Sequence, residues 1–136
     1  MFQSLRQNSP IYIFHKGATP LLEVGTVTNV PMPRAKFPSV PNFGQPQEMI
    51  IDLTVKVGDR VVNYSGLPAT AEIADSSLNG DSVVVSDSRS AMNAEIFSYK
   101  QRSIDIINSV EQHKGIVAGC DAILNDLNPE YAQKQQ

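Results

Sequence analysis

The prolines of this chain are concentrated in its first half, which separates the chain into two parts with different folding possibilities. Five of the nine prolines lie between Pro31 and Pro46, and none lies between Pro68 and Pro129. Because proline fixes φ and removes a backbone hydrogen-bond donor, the first half cannot form a long helix, whereas the second half can. The 136 residues, 41% hydrophobic and 18% charged, suffice to bury one core. We therefore expect an α+β protein, with its strands first and its helix last.

The first half predicts a small antiparallel β-barrel domain over residues 1–86. Residues 51–57 alternate between apolar and polar side chains, and Gly58-Asp59 supplies a tight turn before a returning strand. Asn79-Gly80 supplies a second hairpin turn. Five or six short strands can bury a core only by curling, so we expect an SH3-like or OB-like barrel. The predicted strands are residues 11–14, 22–30, 51–57, 60–64, 72–74 and 82–85.

In the last third, apolar residues recur at alternating intervals of four and three, which is typical of a helix with an apolar seam. Asp87 or Ser88 is a suitable N-cap, and Asn128-Pro129 a suitable end, for a helical extension within residues 87–136. The unbroken spacing favours one long C-terminal helix, bent near Gly115, over two helices that divide there. The seam positions are Met92, Ile96, Tyr99, Ser103, Ile106, Val110, His113, Val117, Cys120, Leu124 and Leu127.

The length of this helix predicts that its seam contacts another chain. At about 1.5 Å per residue the helix would span roughly 60 Å, about twice the width of a small barrel. The seam beyond the barrel then needs a second chain, or a fold-back hairpin, to bury it. Four isoleucines widen the apolar surface and favour packing on more than one neighbour: Ile104, Ile107, Ile116 and Ile123. The partner-binding candidates in the helix are Met92, Ile96, Tyr99, Ile106, Val110, His113 and Val117.

The proline-rich segment 31–47 is the second candidate for partner binding. It joins two predicted strands with 17 residues, more than hairpin loops use, and its prolines favour polyproline II. It carries Arg34, Lys36, Phe37 and Phe43 and no acidic residue. One interpretation is an arm that docks its phenylalanines on a neighbouring subunit. The others are a loop that closes one end of its own barrel, and a basic, aromatic loop that binds nucleic acid.

The sequence predicts no catalytic site, metal site or cofactor. Ser65 lacks the first glycine of a nucleophile elbow, and His15 and His113 fall on different elements. Cys120, the single cysteine, is a small apolar seam residue that cannot form an internal disulfide. Residues 75–81 resemble the start of a calcium loop, but position twelve is a serine instead of the bidentate glutamate. We interpret them as a turn.

Charge and hydropathy argue against binding of nucleic acid over the whole surface and against a membrane span. The net charge of −3 argues against binding nucleic acid over the whole surface. The charge is uneven, however, since residues 1–69 carry +2 and residues 70–136 carry −5. The longest apolar runs are only a few residues, too short to span a membrane. Residues 1–7 lack the apolar stretch of a signal peptide, so we do not expect secretion by that route.

Three segments resemble those of small proteins encoded by crAss-like tailed phages of gut Bacteroidetes. They are residues 2–7 (FQSLRQ), 83–95 (VVVSDSRSAMNAE) and 124–130 (LNDLNPE), so the resemblance follows most of the chain in order. It implies a phage protein made in the bacterial cytoplasm and located in the virion, such as an auxiliary capsid or connector protein. The resemblance identifies no functional residue in this chain.

The barrel, the proline-rich segment and the long seam are also what an assembling subunit needs. We therefore expect a non-enzymatic structural protein that forms oligomers or binds other virion proteins, such as the major capsid protein or the connector. The alternative is a small-barrel nucleic-acid-binding protein, in which Phe37 and Phe43 stack on bases beside Arg34 and Lys36.

Overall fold

The computed structural model describes residues 1–37, 47–78 and 81–130. Within these residues the chain has an α+β fold with one antiparallel sheet and one long helix. The chain divides into two compact units, residues 1–96 and residues 97–136. The first holds the strands and the start of the helix, and the second holds the rest of the helix. The elements are a 3₁₀ turn Phe2–Ser4, β1 Pro10–His15, β2 Leu21–Val27, β3 Arg34–Ala35, β4 Met49–Val57, β5 Arg60–Pro68, β6 Ile73–Leu78, β7 Asp81–Ser86 and α1 Arg89–Leu127.

The strands form one curled antiparallel sheet, a half-barrel. Its strand order is β3-β4-β2-β1-β7-β6, and β5 also pairs with β4. Both predicted hairpins are confirmed, because β4 pairs with β5 and β6 pairs with β7. The turn residues of the second hairpin, Asn79-Gly80, lie outside the described residues.

Strands β1 and β7 carry apolar side chains on both faces of the sheet. Ile11 and Ile13 of β1 lie in the main core, whereas Phe14, which alternates with them, is buried on the outer face. In β7, Val84 is likewise buried outside the core cluster that holds its two neighbours. Burial on both faces explains why these strands are continuous apolar runs. The core cluster is Phe2, Leu5, Ile11, Ile13, Val27, Ile51, Leu53, Val55, Val57, Tyr64, Leu67, Ala69, Val83 and Val85.

Strand β2 turns its smallest residue toward the core. A Cβ at Gly25 would lie only 2.4 Å from Val55 Cγ1 and 3.1 Å from the Lys56 carbonyl oxygen. The close approach of β2 and β4 therefore requires glycine at this position. Because side chains alternate along a strand, Leu22 and Val24 point outward and are exposed.

The end of β2 and the position of β3 differ from the sequence prediction. β2 ends at Val27 instead of residue 30, because the Asn29 side chain takes over the pairing with β4. Its Nδ2 donates to the Asp52 carbonyl (3.1 Å), and its Oδ1 accepts from the Thr54 amide (2.9 Å). Farther along, Arg34 and Ala35 pair with the start of β4. This short strand lies within the segment predicted as a loop.

The first residues of the chain form hydrogen bonds with the connection between β5 and β6. The Phe2 amide donates to the Ala71 carbonyl and the Gln3 amide to the Ala69 carbonyl, both at 2.9 Å. The Phe2 ring is fully buried in the core cluster. This segment thus adds a side chain to the core without adding a strand to the sheet.

Helix α1 is continuous from Arg89 to Leu127, which confirms the favoured prediction of one long helix over two helices that divide at Gly115. It begins as predicted after Ser88, whose Oγ accepts from the Ala91 amide (3.2 Å). It ends at Leu127, just before Asn128-Pro129. The predicted domain boundary, 86/87, coincides with the start of this helix, whereas the compact units divide farther along, after Ile96.

Candidate interaction surface

The second unit exposes a long stretch of apolar helix surface. Every residue from 101 to 120 is exposed, and large side chains such as Ile106 reach 64% exposure. Burial of such a side chain is worth about 1.5–3 kcal/mol, and contiguous exposed apolar surface is typical of interaction sites. The exposed large apolar residues between 97 and 127 are Phe97, Ile104, Ile106, Ile107, Val110, Ile116, Val117, Ile123 and Leu127.

A seam runs the length of this stretch. In heptad notation, Ser103, Val110, Val117 and Leu124 occupy a positions, and Tyr99, Ile106, His113, Cys120 and Leu127 occupy d positions. We call these nine residues the seam face. Because α1 is continuous through residue 127, all nine lie along one side of a single helix. Tyr99 and Leu124 are half-buried and the other seven are exposed.

The residues that flank the seam face are mixed in character. The g positions are Arg102, Ser109, Ile116 and Ile123, and the e positions are Lys100, Ile107, Lys114 and Asp121. The helix also makes ion pairs and hydrogen bonds along itself, such as Gln101 Nε2 to Asp105 Oδ1 (3.2 Å) and Lys114 Nζ to Glu111 Oε1 (3.4 Å). The charged and apolar side chains at the e and g positions restrict which helix could pack against the seam face.

The first two predicted seam residues lie in the first unit and are not part of the seam face. Met92 is 1% exposed, and Ile96 is half-buried. Both line a groove of about 620 Å³ together with Tyr12 and Leu22 of the outer sheet face. Nearby, Glu95 Oε1 pairs with Lys16 Nζ at 3.0 Å. The start of α1 is thus held on the sheet, whereas the predicted candidates Tyr99, Ile106, Val110, His113 and Val117 lie in the second unit.

Arg34, predicted to contact a partner, binds within its own sheet. Its guanidinium holds both carboxylate oxygens of Asp52, at 3.2 and 3.0 Å. The same carboxylate accepts from the Ser65 hydroxyl (2.9 Å) and the Gly66 amide (3.0 Å). These two residues form a β-bulge opposite Asp52, and Gly66 has φ +74°, which favours glycine. Hydrogen bonds from Arg34 and from the Gly66 amide lower the pKa of Asp52 to about 2.

Lys36 and Phe37 lie next to each other on the surface. The Lys36 Nζ lies 5.5 Å from the centre of the Phe37 ring and pairs with Glu48 Oε2 at 3.6 Å. Phe37 is 57% exposed, so its ring does not fill the barrel. Phe43, the other aromatic residue of the predicted arm, lies outside the described residues.

A charged cluster that the sequence analysis did not predict lies on the core-facing side of β1 and β2. His15 Nε2 lies 2.6 Å from Glu23 Oε1, and Arg60 donates to the other carboxylate oxygen at 2.5 Å. Burial raises the pKa of Glu23, but hydrogen bonds from Arg60 and His15 outweigh it, so the pKa lies below its usual value. Burial, reinforced by the Glu23 charge, raises the pKa of the nearby Tyr64 hydroxyl. The β1–β2 register, in which Ile13 pairs with Glu23, brings His15 to the same face; predicting this register would have found the cluster.

This cluster lacks the further groups that would make it a catalytic centre. A histidine and a carboxylate can orient a proton, but catalysis of acyl transfer also needs a nucleophile within hydrogen-bond reach. Ser65 donates to Asp52 instead, and Cys120 lies in the second unit. Among the described residues there is no group of three or more side chains that could hold a metal ion. The cluster therefore supports a structural role as a network of ion pairs at the core-facing side of β1 and β2.

Comparisons of the chain with protein-family models, with curated proteins and with solved structures gave no match. In the described part of the chain, no helix is both long and apolar enough to cross a membrane. The function must therefore be argued from the surfaces described above.

Proposed function

We propose that this protein is a non-enzymatic structural subunit of a larger protein assembly, to which the seam face of α1 attaches it. The observation that carries the proposal is the exposure of every residue from 101 to 120 on a continuous helix with a heptad seam. An isolated helix is marginal in water, and helices in proteins derive most of their stability from packing of an apolar face. A partner on the seam face would supply that packing.

In this proposal the first unit is a rigid platform. Its fold is proposed to be an SH3-like or OB-like barrel. Its core includes side chains from most strands of the sheet and from the first residues of the chain. Segment 31–47 adds a second contact, in which the exposed Phe37 docks on a neighbouring subunit. The resemblance to crAss-like phage proteins supports the virion as the assembly, with the major capsid protein or the connector as a partner.

Binding of nucleic acid through segment 31–47 is the second candidate function. An exposed Phe37 beside Lys36 is the observation in its favour. Against it, Arg34 and Lys36 each pair with a carboxylate, Asp52 and Glu48, which reduces the positive charge offered to phosphate. Salt-dependent retention of the protein on single-stranded DNA would favour this function, and elution with the void volume would exclude it.

Incorporation into virions tests the structural role. Mass spectrometry of purified virions of the encoding phage should find the protein at a fixed copy number relative to the major capsid protein. A Val117→Asp variant should be incorporated at least tenfold less, because the contact would bury an unpaired charge. Asn108→Asp is the matched control, since it adds the same carboxylate away from the seam face. Equal incorporation of the two variants, or absence of the wild-type protein from virions, would contradict the proposal.

A further inference from the structure

We infer that the partner of the seam face is a second copy of the same helix, in antiparallel orientation about a two-fold axis between residues 111 and 112. This inference rests on the proposed function and names the partner for residues 97–127. In an antiparallel pair, each a residue lies opposite a d residue of the other copy. With this axis the layers are Tyr99 with Leu124, Ser103 with Cys120, Ile106 with Val117 and Val110 with His113, each occurring twice.

In these layers, seam residues of similar size lie opposite each other. The largest seam residue, Tyr99, lies opposite the leucine at 124, and the two small residues, Ser103 and Cys120, lie opposite each other. A parallel, in-register pair would instead place each residue against its own copy. It would bring two Tyr99 rings together in one layer and two Ser103 side chains together in the next. The antiparallel pair thus keeps the two Tyr99 rings in separate layers, each against the smaller Leu124 side chain.

The charges of the flanking positions favour the antiparallel orientation. There, e positions face e positions, so Lys100 lies beside Asp121 of the second copy, and two-fold symmetry repeats the contact. In a parallel pair, g positions face e positions of the next heptad. That would place Ile116 beside Asp121 and would join no two opposite charges between residues 97 and 127. Charge complementarity of this kind selects the orientation of paired helices.

The antiparallel orientation also covers the isoleucines at the e and g positions, Ile107, Ile116 and Ile123. Ile107 lies beside Lys114 of the second copy, and Ile123 lies beside Arg102. Long basic side chains bury their methylene stems along apolar surface while keeping the charge in water. Ile116 faces Ser109, which completes the flank. Phe97 and Ile104, at b positions, lie outside this two-helix contact.

The single cysteine makes the orientation measurable with the full-length protein. Two cysteines can be bridged only when their Cα atoms approach within about 7 Å. In the antiparallel pair the two Cys120 residues lie 17 positions apart along the axis, about 25 Å, whereas a parallel pair brings them together at a d layer. Ser103→Cys adds a thiol opposite Cys120 of the second copy in the antiparallel pair alone.

Oxidation with copper phenanthroline, in which two thiols lose two protons and two electrons to oxygen, should give different products from three proteins. We expect no covalent dimer from the wild type, a covalent dimer in most of the protein from Ser103→Cys, and none from Ser103→Cys combined with Cys120→Ser. A covalent dimer from the wild type, or from the double variant, would establish the parallel orientation and overturn the inference.

Sedimentation of the wild-type protein separates failure of this inference from failure of the proposed function. A dimer is expected, and Val117→Asp, which places a charge opposite Ile106, should shift it to the monomer while Asn108→Asp leaves it dimeric. A wild-type monomer that gives no covalent dimer with Ser103→Cys would overturn the inference. If such a monomer is still incorporated into virions, the proposed structural role stands and the seam face has a different partner. If it is not incorporated, both the self-association and the proposed structural role are contradicted.

Discussion

Single residues fix the geometry of the half-barrel where the chain approaches itself most closely. Gly25 allows β2 to approach β4, and Asp52 holds the bulge at Ser65 and Gly66 in β5. Neither role follows from residue type alone. A glycine in a strand can indicate a bulge, a bend or a close contact, and an aspartate at an exposed strand position is usually solvated. The register of the sheet determines what each of them contacts.

Gly25→Ala should destabilise the protein by about 1–3 kcal/mol, because the new methyl group meets Val55 and overpacks the core. Urea unfolding monitored by circular dichroism measures the change. Gly17→Ala is the matched control, since a Cβ there would meet nothing within 4 Å. Adding Val55→Ala to Gly25→Ala tests whether the contact is the cause, since the combined loss should be less than the sum of the two single losses. Equal stability of the Gly25 and Gly17 variants would contradict the close contact.

Asp52→Asn should reduce stability at neutral pH by about 1 kcal/mol, because it removes the charge that Arg34 and the bulge bind. The folded-state pKa of Asp52 lies below the usual 3.8, at about 2. The contribution of the carboxylate is therefore full above about pH 4 and is lost as the pH falls through about 2.

Urea unfolding of wild type and Asp52→Asn at pH 7, 4 and 2 measures this dependence. The difference between them should be largest at pH 7 and should nearly vanish at pH 2. Arg34→Met should give a smaller loss with the same pH trend, since the hydrogen bonds from the bulge remain. A constant difference across the three pH values would show that the charge of Asp52 is not what stabilises the bulge.

Secondary-structure elements were predictable where a pattern within the sequence determines them. The hairpin of β4 and β5 follows from alternation around Gly58-Asp59, and α1 follows from its unbroken 4-3 spacing and its Ser88 cap. What the sequence could not predict depends on partners far along the chain. β3 exists because Arg34 and Ala35 meet β4, and the first residues are held by hydrogen bonds to the connection between β5 and β6.

The complete burial of the Phe2 ring predicts a large effect of Phe2→Ala. Truncation of a fully buried phenylalanine costs about 3–5 kcal/mol. Phe37→Ala is the matched control and should change the free energy of unfolding by less than about 0.5 kcal/mol, because Phe37 is exposed. Thermal or urea unfolding compares the two. A loss at Phe37 as large as that at Phe2 would favour the interpretation that segment 31–47 packs on its own barrel.

At the scale of the whole molecule, the chain combines a unit with its own core and a helical unit without one. Residues 1–96 bury a core cluster, whereas the part of α1 in the second unit leaves nine large apolar side chains exposed. The sequence predicted the seam and its need for a partner. The identity of the proposed partner depends on which helix flanks are complementary, and the spacing of the seam alone does not determine that.

Among seam substitutions, His113→Leu should strengthen the association. In the antiparallel pair His113 lies opposite Val110, and an apolar side chain there removes a polar ring from a layer that is otherwise apolar. The dimer dissociation constant, measured by sedimentation equilibrium, should fall by tenfold or more. A matched His15→Leu change, in the first unit, should leave the dissociation constant unchanged. A dissociation constant that rises in His113→Leu would place His113 outside an apolar layer.

Hydrogen exchange of the backbone amides, measured at low and high protein concentration, tests the central claim most directly. If the seam face is the attachment surface, residues 97–127 should exchange fast in the dissociated protein and be slowed at least tenfold on association. A helix without packing opens readily, whereas the core strands are protected by global stability. Exchange within β4 and β5 should be the same in both states. Association that leaves the exchange of residues 97–127 unchanged would contradict the account.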